Sequence, residues 1–378
     1  MALLDFTGLE LGTGEPLFNG SGGFSIQSAI KKTGTYALKC LSAGSGGDAW
    51  VLWGKVNADG AFEFADIENT CVSFDYYCAV GASTADERIY VAGYRSGAAK
   101  LDVRRSDIGY VTVYDTNGTL VGTSTNTLST DTWYNIGVKS GSGTNAPFEV
   151  WINGFLEVDG TCDQLAVYND QFIFGDFLNV NGNAIEQYYD NIVIDSSDFY
   201  FDSVVEILKP TANGYLFESV GGSGAANYTQ LEEIPQDGDT SYIEWAGVVA
   251  VELEDLTGSP NIVAIKGAGC KRSGSGSPSQ SVRVRSGSTN ADTNPEAVGG
   301  SYQYRQKICE TDPDTGIAWT VSGVNSAECA VVEAGEAVSV VTQIMLNVLL
   351  VPETPGSGGG GVFFRKGFVG EIVKNMYG

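Results

Sequence analysis

The sequence predicts an all-β fold: two antiparallel β-sandwich (jelly-roll) domains followed by a flexible C-terminal tail. Three observations carry this. Apolar and polar residues alternate in short runs, which sorts side chains to the two faces of a strand rather than to one stripe of a helix. Fifty glycines, with Asn, Asp and Ser, break these runs at the spacing of tight turns. Hydrophobic residues make up 43% of 378 positions, enough for two packed cores.

The elements follow in order. "YVTVYDTNGTLVGTST" (Tyr110–Thr125) reads as strand, turn at Thr116-Asn117-Gly118, strand. "FEVWINGFLEVDG" (Phe148–Gly160) repeats the pattern around Asn153-Gly154. Asn-Gly accepts the positive φ of a two-residue hairpin turn at little steric cost. Near residue 200 the composition shifts. "YYDNIVIDSSDFYFDSVVEILKPTANG" (Tyr188–Gly214) closes one strand set and passes through Pro210 to an Asn-Gly turn, so the boundary is placed between Ser196 and Gly214. Alternation returns in "TSYIEWAGVVAVELEDL" (Thr240–Leu256). "SVRVRSG" (Ser281–Gly287) reads as a strand with both arginines on one solvated face. After Val351, "PETPGSGGGG" is a linker by composition. The expected division is 1–198, 199–351 and a 352–378 linker and docking segment.

Composition also excludes functions. The formal charge is −25, from 46 acidic and 21 basic residues, so phosphate backbones and anionic membrane surfaces are repelled. Neither nucleic acid nor membrane is an expected partner. Histidine is absent, which removes Ser-His-Asp and Cys-His nucleophiles and histidine metal sites. Seven cysteines, at 40, 71, 78, 162, 270, 309 and 329, include no CxxC and form an odd number. They read as small core residues of a chain folded in a reducing cell, not as a disulfide or zinc framework. "MALLDFTGLE" has no basic region and no long apolar run, so a signal peptide is not expected.

Several stretches could carry chemistry. In "EFADIE" (Glu63–Glu68), Asp66 and Glu68 share a strand face but Glu63 points away. A retaining glycosidase needs its nucleophile and acid on one face, about 5 Å apart. A solvated strand edge is therefore preferred to a catalytic pair. "QDGDT" (Gln236–Thr240) and "DPDTG" (Asp312–Gly316) lack the further acids and late glutamate of a calcium loop. Proline presets φ in the second, its aspartates bond local amides, and Gly316 takes the left-handed residue, so turns are preferred to metal. Trp319 then goes to the core, and Thr320 caps a short helix over "VSGVNSAEC". Trp50, Trp53 and Trp133 are either stacking platforms for sugar rings or core residues, with core packing preferred.

"DTWYNIGVKSGSGTNAPFEVWINGFLEVDG" (Asp131–Gly160) resembles the laminin G-like, concanavalin A-type lectin/glucanase jelly roll: Trp133-Tyr134 on one strand, then a hairpin, then Asn153-Gly154. "YYDNIVID", with Asp190-Asn191, is similar to that family's closing strand. "LKPTANG", "IPQDGDTSYIE" and "ETDPDTGIAWTVSGVNSAE" resemble blocks of virion proteins of tailed bacteriophages. The resemblance implies a virion component, made in the host cytoplasm and released by lysis.

These readings combine into an expectation of a non-enzymatic structural protein of the particle, on the tail or decorating the capsid, without cofactor or metal. Its partners are other virion proteins and further copies of itself. The alternatives are an adhesin binding host surface glycans and, more weakly, a glycosidase using Asp66 and Glu68. The terminal segment carries Phe363, Phe364, Phe368, Ile372 and Met376 beside Arg365, Lys366 and Lys374. Exposed apolar groups in that number predict docking on a neighbour, or an edge strand folded back on the chain's own domain.

Overall fold

A computed structural model describes residues 3–7, 9, 18–43, 49–53, 69–80, 86–92, 99–164, 172–176, 184–224, 227–234, 240–276, 278–334 and 338–352. It is almost wholly antiparallel β. The first strand set holds β1 (Leu3–Thr7), β2 (Phe18–Gln27), β3 (Ala37–Ala43), β4 (Ala49–Trp53), β5 (Thr70–Val80), β6 (Glu87–Ala92), β7 (Leu101–Arg105), β8 (Tyr110–Tyr114), β9 (Leu120–Thr127), β10 (Trp133–Ser140), β11 (Gly143–Ile152), β12 (Phe155–Gln164), β13 (Phe172–Asp176) and β14 (Ala184–Asp195).

Two layers result. One runs β12-β11-β10-β5-β14-β3-β2, with β1 added along β14, and the other runs β2-β4-β13-β6-β7-β8-β9. Strand β2 belongs to both: Gly23–Gln27 pair with β3 and Phe18–Gly22 with β4. The layers meet on apolar faces. In "TCVSFDYYCAV", Val72, Phe74, Tyr76 and Cys78 are core, while Ser73, Asp75 and Tyr77 take the opposite face. Phe74, Tyr90, Phe174 and Tyr189 pack edge-on or tilted with centroids 5.3–5.8 Å apart.

Among the described residues the second set holds β15 (Val204–Leu208), β16 (Pro210–Gly222), β17 (Ile243–Leu253), β18 (Asn261–Ser273), β19 (Ser279–Ser286), β20 (Thr289–Asp292), β21 (Glu296–Ala297), β22 (Gln303–Cys309), β23 (Glu328–Ala334) and β24 (Ser339–Val351), with a 3-10 turn at Tyr228–Gln230 and a short α-helix, α1 (Val321–Asn325). Strand β17 again serves two layers, pairing with β23 through Val248–Glu252 and with β24 through Ile243–Trp245. A Cβ at Gly267 of β18 would lie 2.9 Å from both Cys329 and Val284, so β18 packs directly on β23 and β19.

Both hairpin turns form. Asn153 and Gly154 take φ of 50° and 78° between β11 and β12, and Gly118 takes 75° between β8 and β9. The "DPDTG" turn closes through Gly316 N–H to the Asp312 carbonyl at 2.8 Å, and Asp314 N–H donates to Asp312 Oδ1 at 2.9 Å. Trp319 is buried, its indole N–H bonding the Cys309 carbonyl at 2.9 Å. The Thr320 hydroxyl caps α1 by accepting from Gly323 N–H at 3.0 Å. All seven cysteines are free and buried.

Three expectations are corrected. Asn213-Gly214 is not a turn, because β16 runs through it with a register shift against β17; a Cβ at Gly214 would meet Ala250 and Glu328. The helix after Thr320 stops at Asn325, since Glu328 and Cys329 already pair within β23. The arginines of β19 are half-buried rather than solvated. Arg283 forks onto Asp292 at 2.7 Å, and Arg285 binds Glu328 at 2.5 Å while lying 4.1 Å over the Tyr215 ring.

The two sets share a small core of Leu3, Phe6 and Val193 with Val205, Ala264 and Leu349. At its edge the fully buried Lys266 bonds Asp5 at 3.1 Å and the Phe6 carbonyl. Among the described residues no helix is long and apolar enough to cross a membrane.

Candidate functional site

The strand alternation that fills the first core also composes an outer face on the layer of β3, β14, β5 and β10. Register places Lys39, Tyr188, Tyr77 and Trp133 opposite one another on these four neighbouring strands. Their chain neighbours Leu38, Tyr189, Tyr76 and Tyr134 belong to or pack on the core. Tyr77 and Trp133 have centroids 5.3 Å apart at 45°, and Tyr77 and Tyr188 are 5.8 Å apart at 79°. Tyr188 is buried at the back of the row; Tyr77 and Trp133 are half-exposed.

Polar groups rim the rings. Lys39 Nζ pairs with Glu186 Oε1 at 2.6 Å and lies 5.6 Å from the Tyr188 centroid, and the Tyr188 hydroxyl donates to the same carboxylate oxygen. At the other end the Tyr77 hydroxyl donates to Asp131 Oδ1 at 3.0 Å. Asp131 has a φ of 57° in the turn before β10, where its N–H bonds the Cys78 carbonyl at 2.9 Å. The Glu186 hydrogen bond holds the Lys39 ammonium above its ordinary range. Lys39 and Tyr188 together hold the Glu186 carboxyl below its own. Burial, then the Glu186 bond, pushes Tyr188 up; burial, then Asp131, does the same for Tyr77. The site therefore offers one cation, a carboxyl group at each end (Glu186 and Asp131), two phenols that are protonated at neutral pH and a ring surface. That set stacks on an apolar ring face and exchanges hydrogen bonds at its edge.

On one side of the row this face is closed. In the next row Asp190 and Asp75 are opposite each other and buried. Asp190 accepts from Lys32, Thr33 and Asn191 N–H at 2.8–3.1 Å, and Asp75 accepts from Asn135 and Asn191 amides at 3.2 and 2.9 Å. Desolvation raises Asp190 to about 7 against those bonds. These acids pin the turn at 32–33 and the closing strand. One row further, Phe199 and Phe201 of the connecting segment stack 5.3 Å apart and lie on Trp151 at 6.0 Å each. Tyr77 and Trp133 thus stay open beside a region that the chain covers with its own aromatic rings.

Trp133 accordingly corrects the preference for core packing. Its neighbour Tyr134 takes the core side, and strand parity sends Trp133 outward. Trp50 and Trp53 lie on β4, with side chains outside the described residues, as are Glu63, Asp66 and Glu68, Gln236–Asp239, and Phe363, Phe364, Phe368, Ile372 and Met376. Sequence reasoning missed Tyr77, Tyr188, Lys39 and Glu186. The alternation in "TCVSFDYYCAV", which sets Tyr77 beside Asp75 on the polar face, was the available signal for one of them.

No family model matches the chain, and no curated protein sequence matches it. Among solved structures it is similar to the cellulose-induced protein Cip1 (13% identity, TM-score 0.41, 51% of this chain and 97% of that one). It is also similar to an endo-β-1,4-glucuronan lyase from Trichoderma reesei (15%, 0.37, 46% and 86%). A third is a carbohydrate esterase of the Shiga toxin-encoding bacteriophage phi24B (15%, 0.35, 51% and 97%). Alginate lyases stand at the same level. These are likenesses of sandwich outline. The expectation of a non-enzymatic chain is withdrawn: lyases and an esterase stand among these neighbours, and a missing histidine leaves carboxylate, tyrosine and lysine chemistry open.

Proposed function

We propose that the chain is a glycan-binding component of a bacteriophage particle, gripping saccharides on the Tyr77–Trp133 strip. The observation that carries the glycan reading is the row Lys39, Tyr188, Tyr77, Trp133. It joins two half-exposed rings to an ion pair and to phenol hydroxyls, while the rows on one side of it are filled. The apolar face of a pyranose stacks on Trp133 and Tyr77, and its hydroxyls bond Glu186, Lys39 and Asp131. The virion assignment rests on the resemblance of "LKPTANG", "IPQDGDTSYIE" and "ETDPDTGIAWTVSGVNSAE" to blocks of phage virion proteins, and host surface glycans are the expected ligands. A glycan array probed with the native chain and with a Tyr77→Ala/Trp133→Ala double variant tests the glycan reading. Specific spots that vanish in the folded variant support it; an empty array at high protein concentration, or unchanged spots, refutes it. Reducing-end and unsaturated-sugar assays on the bound glycans show whether binding is accompanied by cleavage.

A second reading has its own observation. Leu41 and Val80 border the strip and are 38% and 45% exposed, with Glu186 between them in register. Apolar groups beside an aromatic strip also suit a protein partner, here a virion neighbour or a second copy of the chain. Loss of oligomerisation or particle incorporation in Leu41→Ser/Val80→Ser, with array binding intact, favours this reading.

A further inference from the structure

We propose that the outer edge of β15 receives the C-terminal segment of the same chain, which adds there as one more strand with a phenylalanine against the cleft walls and a base beside Glu206. A cleft of about 400 Å³ follows this edge, lined by residues 204–207 and Lys209, by the loop 34–36 and by Ile234. Successive strand residues point to opposite faces, so a run of both parities shows that the cleft opens on the backbone edge of β15 and not on one of its faces. Among the described residues β15 pairs with β24 alone. Val205 N–H donates to Asn191 Oδ1 at 3.2 Å, away from β24, and Ile207, two residues on, points the same way. At Lys209 the edge is already used: its N–H donates to the Glu254 carboxylate at 3.1 Å and its carbonyl accepts from Glu254 N–H at 2.8 Å. The Ile207 N–H and carbonyl are left for an incoming strand, and an unpaired edge is a template for one. The far wall is held in place beforehand, because Asp190 accepts from Lys32 and Thr33 N–H just ahead of the loop.

The chain leaves the sheet beside this edge. Register sets Leu350, near the end of β24, opposite Val204 at the start of β15. Residues 353–378 lie outside the described residues. The linker 353–361, "ETPGSGGGG", reaches at most about 30 Å, at about 3.3–3.6 Å per residue. β15 is about 17 Å long, so "VFFRKGF" (362–368) can lie along it in either direction. So short a tether keeps the segment near its edge at about millimolar effective concentration, which favours the chain's own tail over that of a second copy. In an extended strand Phe363 and Arg365 share one face, and Phe364 and Lys366 share the other. Each face therefore brings one ring for walls made by Tyr36, Val204, Ile207 and Ile234, and one base for an acid. Glu206 is that acid. It is exposed, and burial of part of its carboxyl, then the charge of Glu254, raises it with no cation to offset them. Of the nearby bases, Lys31 Nζ turns to the Thr35 carbonyl at 3.4 Å, and Lys209 lines the cleft without pairing with Glu206.

The test uses the full chain. Trypsin should release the C-terminal fragment after Arg365 or Lys366 slowly from the native chain, at a rate that does not change on dilution of the protein. Glu206→Lys, a charge reversal at an exposed position, and separately Phe363→Ser/Phe364→Ser should each speed that release about tenfold, because cleavage follows the population of the undocked segment. Hydrogen exchange at the Ile207 amide should quicken in the same two variants. Immediate release from the native chain, release and exchange indifferent to both variants, or protection lost on dilution, which would give the cleft to the tail of a second copy, would each overturn the proposal.

Discussion

Tyr77 and Trp133 lie directly opposite each other on β5 and β10, ring centroids 5.3 Å apart, and both turn away from the core. A ring pair of this kind contributes about 0.5–1.5 kcal/mol beyond its buried area. Trp133→Ala should therefore lower the unfolding free energy by no more than about 2 kcal/mol. It should weaken glycan binding about tenfold, equivalent to about 1.4 kcal/mol. Chemical denaturation and calorimetric titration on one preparation give both numbers; large destabilisation with intact affinity would return Trp133 to a core role.

Glu186 and Lys39 set the pH range of the strip. The Glu186 carboxyl is held below its ordinary value, so the pair is complete above about 4.5 and is lost as pH falls through the lowered value. Lys39 is held above its ordinary range, so the pair is lost only as pH rises beyond that range. Glycan affinity should be flat from about pH 4.5 to about 10.5 and fall outside it. Glu186→Gln should abolish the acid limb. An affinity that changes steadily across the neutral range would show that other groups control binding.

Gly137 is a packing position. A Cβ there would sit 2.7 and 2.9 Å from ring atoms of Phe201 and 3.0 Å from Phe199. Gly137→Ala should cost about 1–3 kcal/mol by displacing the aromatic cover. Limited proteolysis should then cut between Asp198 and Ser203 faster than in the native chain. An unchanged digestion rate would mean that the two phenylalanines do not hold the connecting segment.

Lys271 is buried in the second sandwich, its ammonium donating to the Ser281 carbonyl at 3.0 Å. Burial, and then the charge of Arg305, pushes it down to about 7, against weaker opposing pulls from Glu296, Cys329 and Glu333. Between pH 7 and the ordinary lysine range the unfolded chain binds more protons than the folded one. Stability should therefore rise with pH through that window and level off below it. Lys271→Met should flatten the rise. Identical pH profiles of the two melting temperatures would exclude Lys271 as the source.

Local chemistry was legible in the residues themselves. Asn153-Gly154 and Asn117-Gly118 turn because their φ preferences are intrinsic, Asp312-Pro313-Asp314-Thr315-Gly316 turns through its own side chains, and Thr320 caps the next turn with its own hydroxyl. Alternation determined the all-β class and the opposed directions of Trp133 and Tyr134, because successive strand residues must point apart. Alternation does not say which face is buried or which strands become neighbours. Tyr188, Tyr77, Trp133 and Lys39 meet only through the pairing of β14, β5, β10 and β3, and pairing depends on how two whole layers close over a core. The same limit explains Asn213-Gly214: its local preference is a turn, but the hydrogen bonds of β17 hold the chain extended, and the glycine becomes a bulge. Tertiary structure decided these cases because a ladder of backbone bonds and a packed face outweigh a turn preference of about 1 kcal/mol or less.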